Sequence, residues 1–548
     1  MESEKAAVME EMEPASTLPK LLANLVATRG KHDAIATVEE TLSYEELERR
    51  TSRMARALLA LGAGKGTRIA LLAPGGILWL TALLAGLRIG GLVSLVSTLC
   101  TPPELAHMLR NGDAQILIGV RRFLRHDYGN TLAAALPGLT GRTGQTLQLR
   151  DAPYLRSLWL DDAAGLGWAW SIDDLLAYAD EPQAPDRALL AAIEEEVSPG
   201  DDAIIVYTSG STSLPKAVVH TQWNVTRFPR ELARYFLLEP DDRMMPHLPT
   251  FWLGGLGMTM QVLSMGATLV YPASPEIDVV LDTIERCRVN RLNSWGDVMM
   301  KLREGAVARG IDVDKIVGLG AFRDKAGRII PPHLQGNMLG MSETFTAHSA
   351  EPLDVRLPED KAGSSGRGVD GYERRIVNPE TAEEVPLGQV GELQVRGGAL
   401  MSGLYKVNHK DVFTRDGFYP TGDLARLDAD GYVYFVGRRG DMIKTRAANV
   451  SRLEVEGALR DLRDVDLPIV VGLPDPELGQ RVVAAVVPAK GAAPTDESLK
   501  AALRGVLSSY KIPREIIFIT HDDVPRTTTG KIKLFELAGM VAARIRKT

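Results

Sequence analysis

The stretch Arg68–Val96, RIALLAPGGILWLTALLAGLRIGGLVSLV, decides the fold class by where its apolar run is broken. A membrane span wants about 20 unbroken apolar residues. Here Pro74, Gly75 and Gly76 interrupt the run early, and Arg88, Gly90 and Gly91 interrupt it again. The spacing instead predicts a buried strand over Arg68–Ala73, a helix over Ile77–Ile89 and a second strand over Leu92–Val96. Such a strand–helix–strand unit belongs to a parallel sheet covered by helices.

Similar pieces recur along the chain. Ala203–Tyr207 and Ala267–Tyr271 read as short apolar strands, and Asp278–Cys287 as a helix. From 350 to 435 the character changes: Glu392–Arg396, Gly431–Val436 and many Gly and Asp turns predict antiparallel strands and hairpins. The string GRRGD at Gly437–Asp441 marks an expected break. Beyond it, Ser451 to Glu454 has the spacing of a capping box, so a helix should start there. Strands are expected at Leu467–Gly472, Val482–Val487 and Glu515–Ile519, and a helix from Asp496 to Leu507 capped by Thr495. The expected fold is α/β. A large N-terminal domain of helix-covered sheets spans 1–436, with a β-rich subdomain over 350–436, and a small α+β domain spans 437–548.

Composition bounds the function. At 548 residues the chain should hold at least two domains. Hydrophobic residues make up 45% and charged residues 24%, as in ordinary globular proteins. The net charge of −7 argues against a nucleic-acid partner. The opening MESEKAAVMEEMEP is acidic and lacks the apolar run of a secretory signal. Two cysteines, Cys100 and Cys287, build no disulfide framework and suit a reducing cytoplasm. No integral membrane association is expected, and a homodimer is left open.

The strongest single signal is Tyr207-Thr-Ser-Gly-Ser-Thr-Ser-Leu-Pro-Lys216. An apolar strand feeds a loop with five hydroxyl residues, one glycine and one lysine. Such a loop offers backbone N–H groups, hydroxyls and an ammonium to a polyphosphate. It is not the common phosphate loop, whose lysine follows a glycine and opens a helix.

This string resembles the phosphate loop of the adenylate-forming superfamily, which includes acyl-CoA synthetases, luciferases and peptide-synthetase adenylation domains. Four further strings occur in the family's order. Gly340-Met-Ser-Glu343 resembles G-x-T-E, and Tyr419-Pro-Thr-Gly-Asp423 resembles Y-x-T-G-D. Gly437 through Glu456 resembles the hinge motif, and Pro525-Arg-Thr-Thr-Thr-Gly-Lys531 resembles P-R-T-x-x-G-K. The resemblance implies a ligase that joins a carboxylic acid to coenzyme A through an acyl-AMP, using ATP and Mg²⁺. It implies that the small domain is mobile, turning about a hinge at 440–441 between the two half-reactions.

The same resemblance assigns residues. Thr208, Ser209, Gly210, Ser211, Thr212 and Lys216 would face phosphates, with Gly320, Leu339, Gly340 and Ser342 around the nucleotide. Glu343 would hold Mg²⁺, Asp423 the ribose hydroxyls and Arg438 the nucleotide. Lys531 would bridge carboxylate and nucleotide. Asp441 would be the hinge, Lys444 would serve thioester formation, and Ala447 would line the pantetheine path.

Several positions depart from the family pattern. Leu339 stands for the adenine-stacking Tyr, Ser342 for Thr, Ser213 and Ala217 for loop glycines, Ala447 for Gly and Arg452 for Pro. Losing a stacking ring and two loop glycines would weaken ATP use. An enzyme that only completes transfer from a preformed acyl-adenylate is therefore an alternative, and a non-catalytic nucleotide-binding scaffold is another. Trp252 stands where the family often has His, and no acid lies in Leu248–Met260 to hold an amino group. That disfavours a peptide-synthetase domain. Gly254, Gly255 and Gly257 are expected to leave volume, and Trp252, Trp295, Phe322, Met338 and Met341 to line an apolar pocket. The expected substrate is a bulky hydrophobic acid or its acyl-adenylate.

Overall fold

A computed structural model describes residues 15–143, 147–208, 215–294, 296–439, 442–445, 448–476, 479–504, 506–507, 511–526 and 530–546. The side chains of Met442, Lys444, Ala448, Asn449 and Asp297 also lie outside the description. The strand–helix–strand reading holds to within a residue at its ends: Arg68–Leu72, Ile77–Arg88 and Leu92–Leu95. These strands are central members of an eight-stranded sheet. Its order is Gly403–Leu404, Lys216–Thr221, Asp202–Thr208, Leu92–Leu95, Arg68–Leu72, Ile116–Gly119, Ser157–Leu160 and Trp170–Ser171. All pairs are parallel except the two that involve Lys216–Thr221. The parallel strands are apolar on both faces because helices cover both. Buried runs such as Ile69–Leu72 and Ile116–Gly119 follow from that.

A second, five-stranded sheet runs Arg291–Asn293, Arg243–Pro246, Thr268–Val270, Asp33–Ala36 and Thr41–Ser43. Helix Leu253–Ser264 is buried at every residue but Gly254. A helix that is apolar all round belongs in a core. Among the described residues no helix is long and apolar enough to cross a membrane. Arg88 ends its helix buried, paired with Glu194 and with Glu48 at 3.3 Å. Cys100 and Cys287 are buried and unpaired, and burial pushes the Cys100 thiol up to about 12.

By packing, residues 1–373, 395–419 and 430–432 form one compact unit, and 374–394, 420–429 and 433–548 a second. The second carries a sheet of Ala448–Ser451, Met442–Thr445, Gly479–Pro488 and Val465–Asp475, with Glu515–Phe518 parallel to Gly479–Pro488. Val455, Leu459, Leu499 and Leu503 pack on one side of it, Leu537 and Val541 on the other.

Two local expectations change. Helix Asp496–Leu503 is shorter than predicted, although Thr495 caps it by accepting the Ser498 N–H at 3.1 Å. Ser451 caps helix Arg452–Arg460, accepting from Glu454 N at 3.3 Å. The Glu454 carboxylate pairs with Lys511 at 2.6 Å instead of completing the box. Arg452, the residue standing for proline, pairs with Glu456 at 2.6 Å, and Glu456 also accepts from Val470 N at 2.8 Å. The departure thus adds a contact at the helix start.

Candidate active site

The Thr/Ser-rich loop leaves the carboxyl end of a parallel strand, the usual place for ligands in α/β sheets. Thr208 and Lys216 are partners across an antiparallel strand pair. His107 Nε2 lies 3.3 Å from the Pro215 carbonyl oxygen. Lys216 is exposed and Thr208 half-buried. Ser209, Gly210, Ser211, Thr212 and Ser213 lie outside the described residues.

Leu339–Met341 and Thr346–Ala350 form an antiparallel pair, and Ser342–Thr344 is the turn between them. Gly340 is required by this approach, because a Cβ there would sit 1.8 Å from the Thr346 carbonyl oxygen. Gly340→Ala is expected to destabilise the protein by roughly 3 kcal/mol or more, since the obstacle is backbone that cannot rotate away. Urea denaturation reads this directly.

Glu343 is buried, at 8% exposure. Its Oε1 accepts from the Tyr419 hydroxyl at 3.2 Å. Among the described residues no arginine, lysine or histidine pairs with it. A buried carboxylate without a cationic partner is costly unless something positive completes it. An oxygen donor of this kind fits Mg²⁺, which is held by one or two carboxylates plus substrate phosphates. Among the described residues no cluster of three or more acidic, His or Cys ligands forms a separate metal cage. Ser342 and Leu339 are half-buried on this hairpin.

One residue near Glu343 escaped the sequence reading. His220 is fully buried in strand Lys216–Thr221, and its Nε2 lies 2.7 Å from the Ser342 carbonyl oxygen. Burial lowers its pKa to about 4. The ring is therefore neutral at neutral pH and donates from Nε2. An unfolded histidine protonates near pH 6.5, at about its ordinary value. Between 6.5 and 4 the unfolded chain binds more protons, so stability falls as pH drops through that window. The loss from His220 reaches roughly 3 kcal/mol. Denaturation at stepped pH should show it, and His220→Gln should flatten that part of the curve. An unchanged curve would place the acid sensitivity elsewhere.

On strand Tyr419–Leu427, Asp423 lies beyond Tyr419 and is buried at 3% exposure. Its Oδ1 lies 2.9 Å from Arg438 Nε, and the two residues are cross-strand partners. Gly422 before it has φ +73°, a conformation that suits glycine. The structure therefore brings together Asp423 and Arg438, which the sequence motifs had joined only by family pattern.

Lys531 is exposed. Arg526 and Ile532 form an antiparallel bridge, and Arg526 Nη1 donates to the Gly530 carbonyl at 3.0 Å. Asp441 and Ala447 lie outside the described residues, as does Trp295. Lys444 lies on strand Met442–Thr445.

The acyl-pocket residues fare unevenly. Trp252 is half-buried, with its ring edge-on to Phe251 at 5.4 Å. Phe322 and Met341 are half-buried and Met338 is exposed. Gly255 does not leave volume as expected: a Cβ there would meet the Pro249 carbonyl oxygen at 2.3 Å, so backbone already fills the space. Gly254 faces only Leu248 at 3.4 Å. At Gly320 a Cβ would meet the Val313 carbonyl oxygen at 2.8 Å, a packing demand of its own.

Comparison with known proteins finds two matching family models. The model of the AMP-binding enzyme family matches residues 23–405, and that of the AMP-binding enzyme C-terminal domain matches 454–531. The mitochondrial medium-chain acyl-CoA ligase ACSF2 of Macaca fascicularis is 28% identical, over 92% of this chain and 84% of that protein. The indoleacetate–CoA ligase of Aromatoleum aromaticum strain EbN1 is 29% identical, over 93% of this chain and 95% of that protein. The ATP-bound RpMatB-BxBclM chimera B3 superposes with a TM-score of 0.74 at 25% identity, covering 95% of this chain and 98% of the other.

Proposed function

The chain belongs to the AMP-binding enzyme family of the adenylate-forming superfamily, and from that premise we propose that it is an acyl-CoA ligase for a bulky hydrophobic carboxylic acid. The observation that carries the chemistry is Glu343, a buried carboxylate that lacks a cationic partner among the described residues. Relatives named as acyl-CoA ligases along most of their length support the reaction class.

In the first step a carboxylate oxygen attacks the α-phosphorus of ATP, the acyl–AMP bond forms and pyrophosphate leaves. Both partners are anionic, so opposed positive charge is the main requirement. Lys216 and Lys531 supply it from the protein, and Mg²⁺ held at Glu343 would neutralise phosphate charge. Asp423 accepts from the ribose hydroxyls, with Arg438 holding it in place. In the second step the coenzyme A sulfur attacks the acyl carbon, AMP leaves with the former carboxylate oxygen, and the thiol proton goes to solvent. By the family resemblance we assign Lys444 to this step, Asp441 to the hinge and Ala447 to the pantetheine path.

The acid is read from Trp252, Phe322, Met338 and Met341, whose side chains are apolar and carry no counter-charge, and from Trp295 by its residue type alone. Buried, unpaired cysteines suit a cytoplasmic setting. A panel of indole-3-acetate, octanoate, a polycyclic acid and sulfoacetate, assayed for acid-dependent pyrophosphate exchange and for thioester, tests the reading. A hydrophobic acid is expected to exceed sulfoacetate by about tenfold or more in kcat/KM. Preference for sulfoacetate overturns the substrate assignment. Thioester from a supplied acyl-AMP with no exchange for any acid would favour the single-step alternative.

A further inference from the structure

We propose that His220 and Tyr372 are positioning residues that fix the Glu343 carboxylate in the orientation the Mg²⁺–nucleotide complex needs. This rests on the reading of Glu343 given above. The three consecutive carbonyls of the turn are each held by a different part of the first unit. The Ser342 carbonyl accepts from His220 Nε2 at 2.7 Å, that of Glu343 from Met401 N at 2.8 Å, and that of Thr344 from the Tyr372 hydroxyl at 2.7 Å.

The turn needs such holding. Phe345 and Thr346 follow with φ of +42° and +80°. Non-glycine residues rarely enter that region, and such strain persists only where surroundings over-determine it. The two clamping side chains are also tied together. The Phe345 ring meets His220 edge-on at 5.1 Å and Phe228 at 6.4 Å, and Phe228 meets Tyr372 at 5.6 Å.

Packing alone does not account for His220. Its Nδ1 is buried without a hydrogen-bond partner, which costs free energy that an apolar residue would avoid. The Nε2 donor is what the histidine adds.

Isothermal titration of the full chain with α,β-methylene-ATP, whose α–β bridge cannot be cleaved, with and without Mg²⁺, tests this apart from turnover. Removing an outer partner of a metal ligand typically costs about tenfold in metal affinity. His220→Leu and Tyr372→Phe should each lose about that much of the Mg²⁺-dependent gain, with metal-free affinity unchanged. His220→Gln, which keeps a donor at similar reach, should restore it. A purely structural role would lower the melting temperature and leave the Mg²⁺ gain intact, which overturns the proposal. If His220→Leu does not fold, Tyr372→Phe decides. Glu343→Gln is the control. If it loses the gain while both clamp variants keep it, the positioning claim fails and the Glu343 reading survives. If Glu343→Gln also keeps the gain, the Glu343 reading itself fails and takes the proposal with it.

Discussion

Lys531→Ala is expected to cut acid-dependent ATP–pyrophosphate exchange by roughly 10²–10³-fold, the scale of losing one preorganised group at developing charge. Thioester formation from a supplied acyl-AMP should fall no more than about threefold, because that step begins with the phosphoryl charge already reduced. Lys531 is exposed, so its removal opens no cavity and costs little stability. Gly530 before it has φ +81°, and Arg526 Nη1 donates to the Gly530 carbonyl at 3.0 Å. Lys444→Ala should give the mirror result: exchange retained, thioester lost. Equal loss of both steps in both variants would contradict the assignment of one lysine to each step. Indifference of both steps to both changes would favour the scaffold reading.

Glu343→Ala should be nearly as damaging, with exchange reduced by about 10²-fold or more at saturating Mg²⁺. The physical reason is charge. Two anions must meet, and the metal that joins them would lose its protein ligand. The variant also removes the 3.2 Å hydrogen bond from the Tyr419 hydroxyl to Glu343. Glu343→Gln retains an oxygen for Tyr419 and removes only the charge. If Glu343→Gln matches the parent, the carboxylate is not a metal ligand.

The Arg68–Val96 unit was legible because Pro and Gly mark its breaks, and propensity and periodicity then leave one reading. Helix Asp496–Leu503 was overrun at its end because Leu507 continues the apolar pattern that the backbone does not follow. Glu454 was assigned to a cap, yet its carboxylate meets Lys511, a partner that no local pattern announces. The site shows the same split. Glu343, Asp423 and Lys531 stand in family strings and were readable as such. His220 and Tyr372 were not, since the carbonyls they hold belong to distant segments. His220 sits in a strand buried on both faces, where alternation carries no signal. Gly255 was read as space because a missing side chain leaves room only when nothing else fills it, and here Pro249 does.

Oxygen labelling tests the two-step reaction most directly. The protein is supplied with ATP, Mg²⁺, coenzyme A and the best acid of the panel carrying ¹⁸O in its carboxylate, and products are read by mass spectrometry. Attack on the α-phosphorus followed by thiol attack on carbon leaves one carboxylate oxygen on the nucleotide, so AMP gains a single ¹⁸O and pyrophosphate gains none. Label in inorganic phosphate together with ADP, or thioester formed with unlabelled AMP, would contradict an acyl-adenylate route.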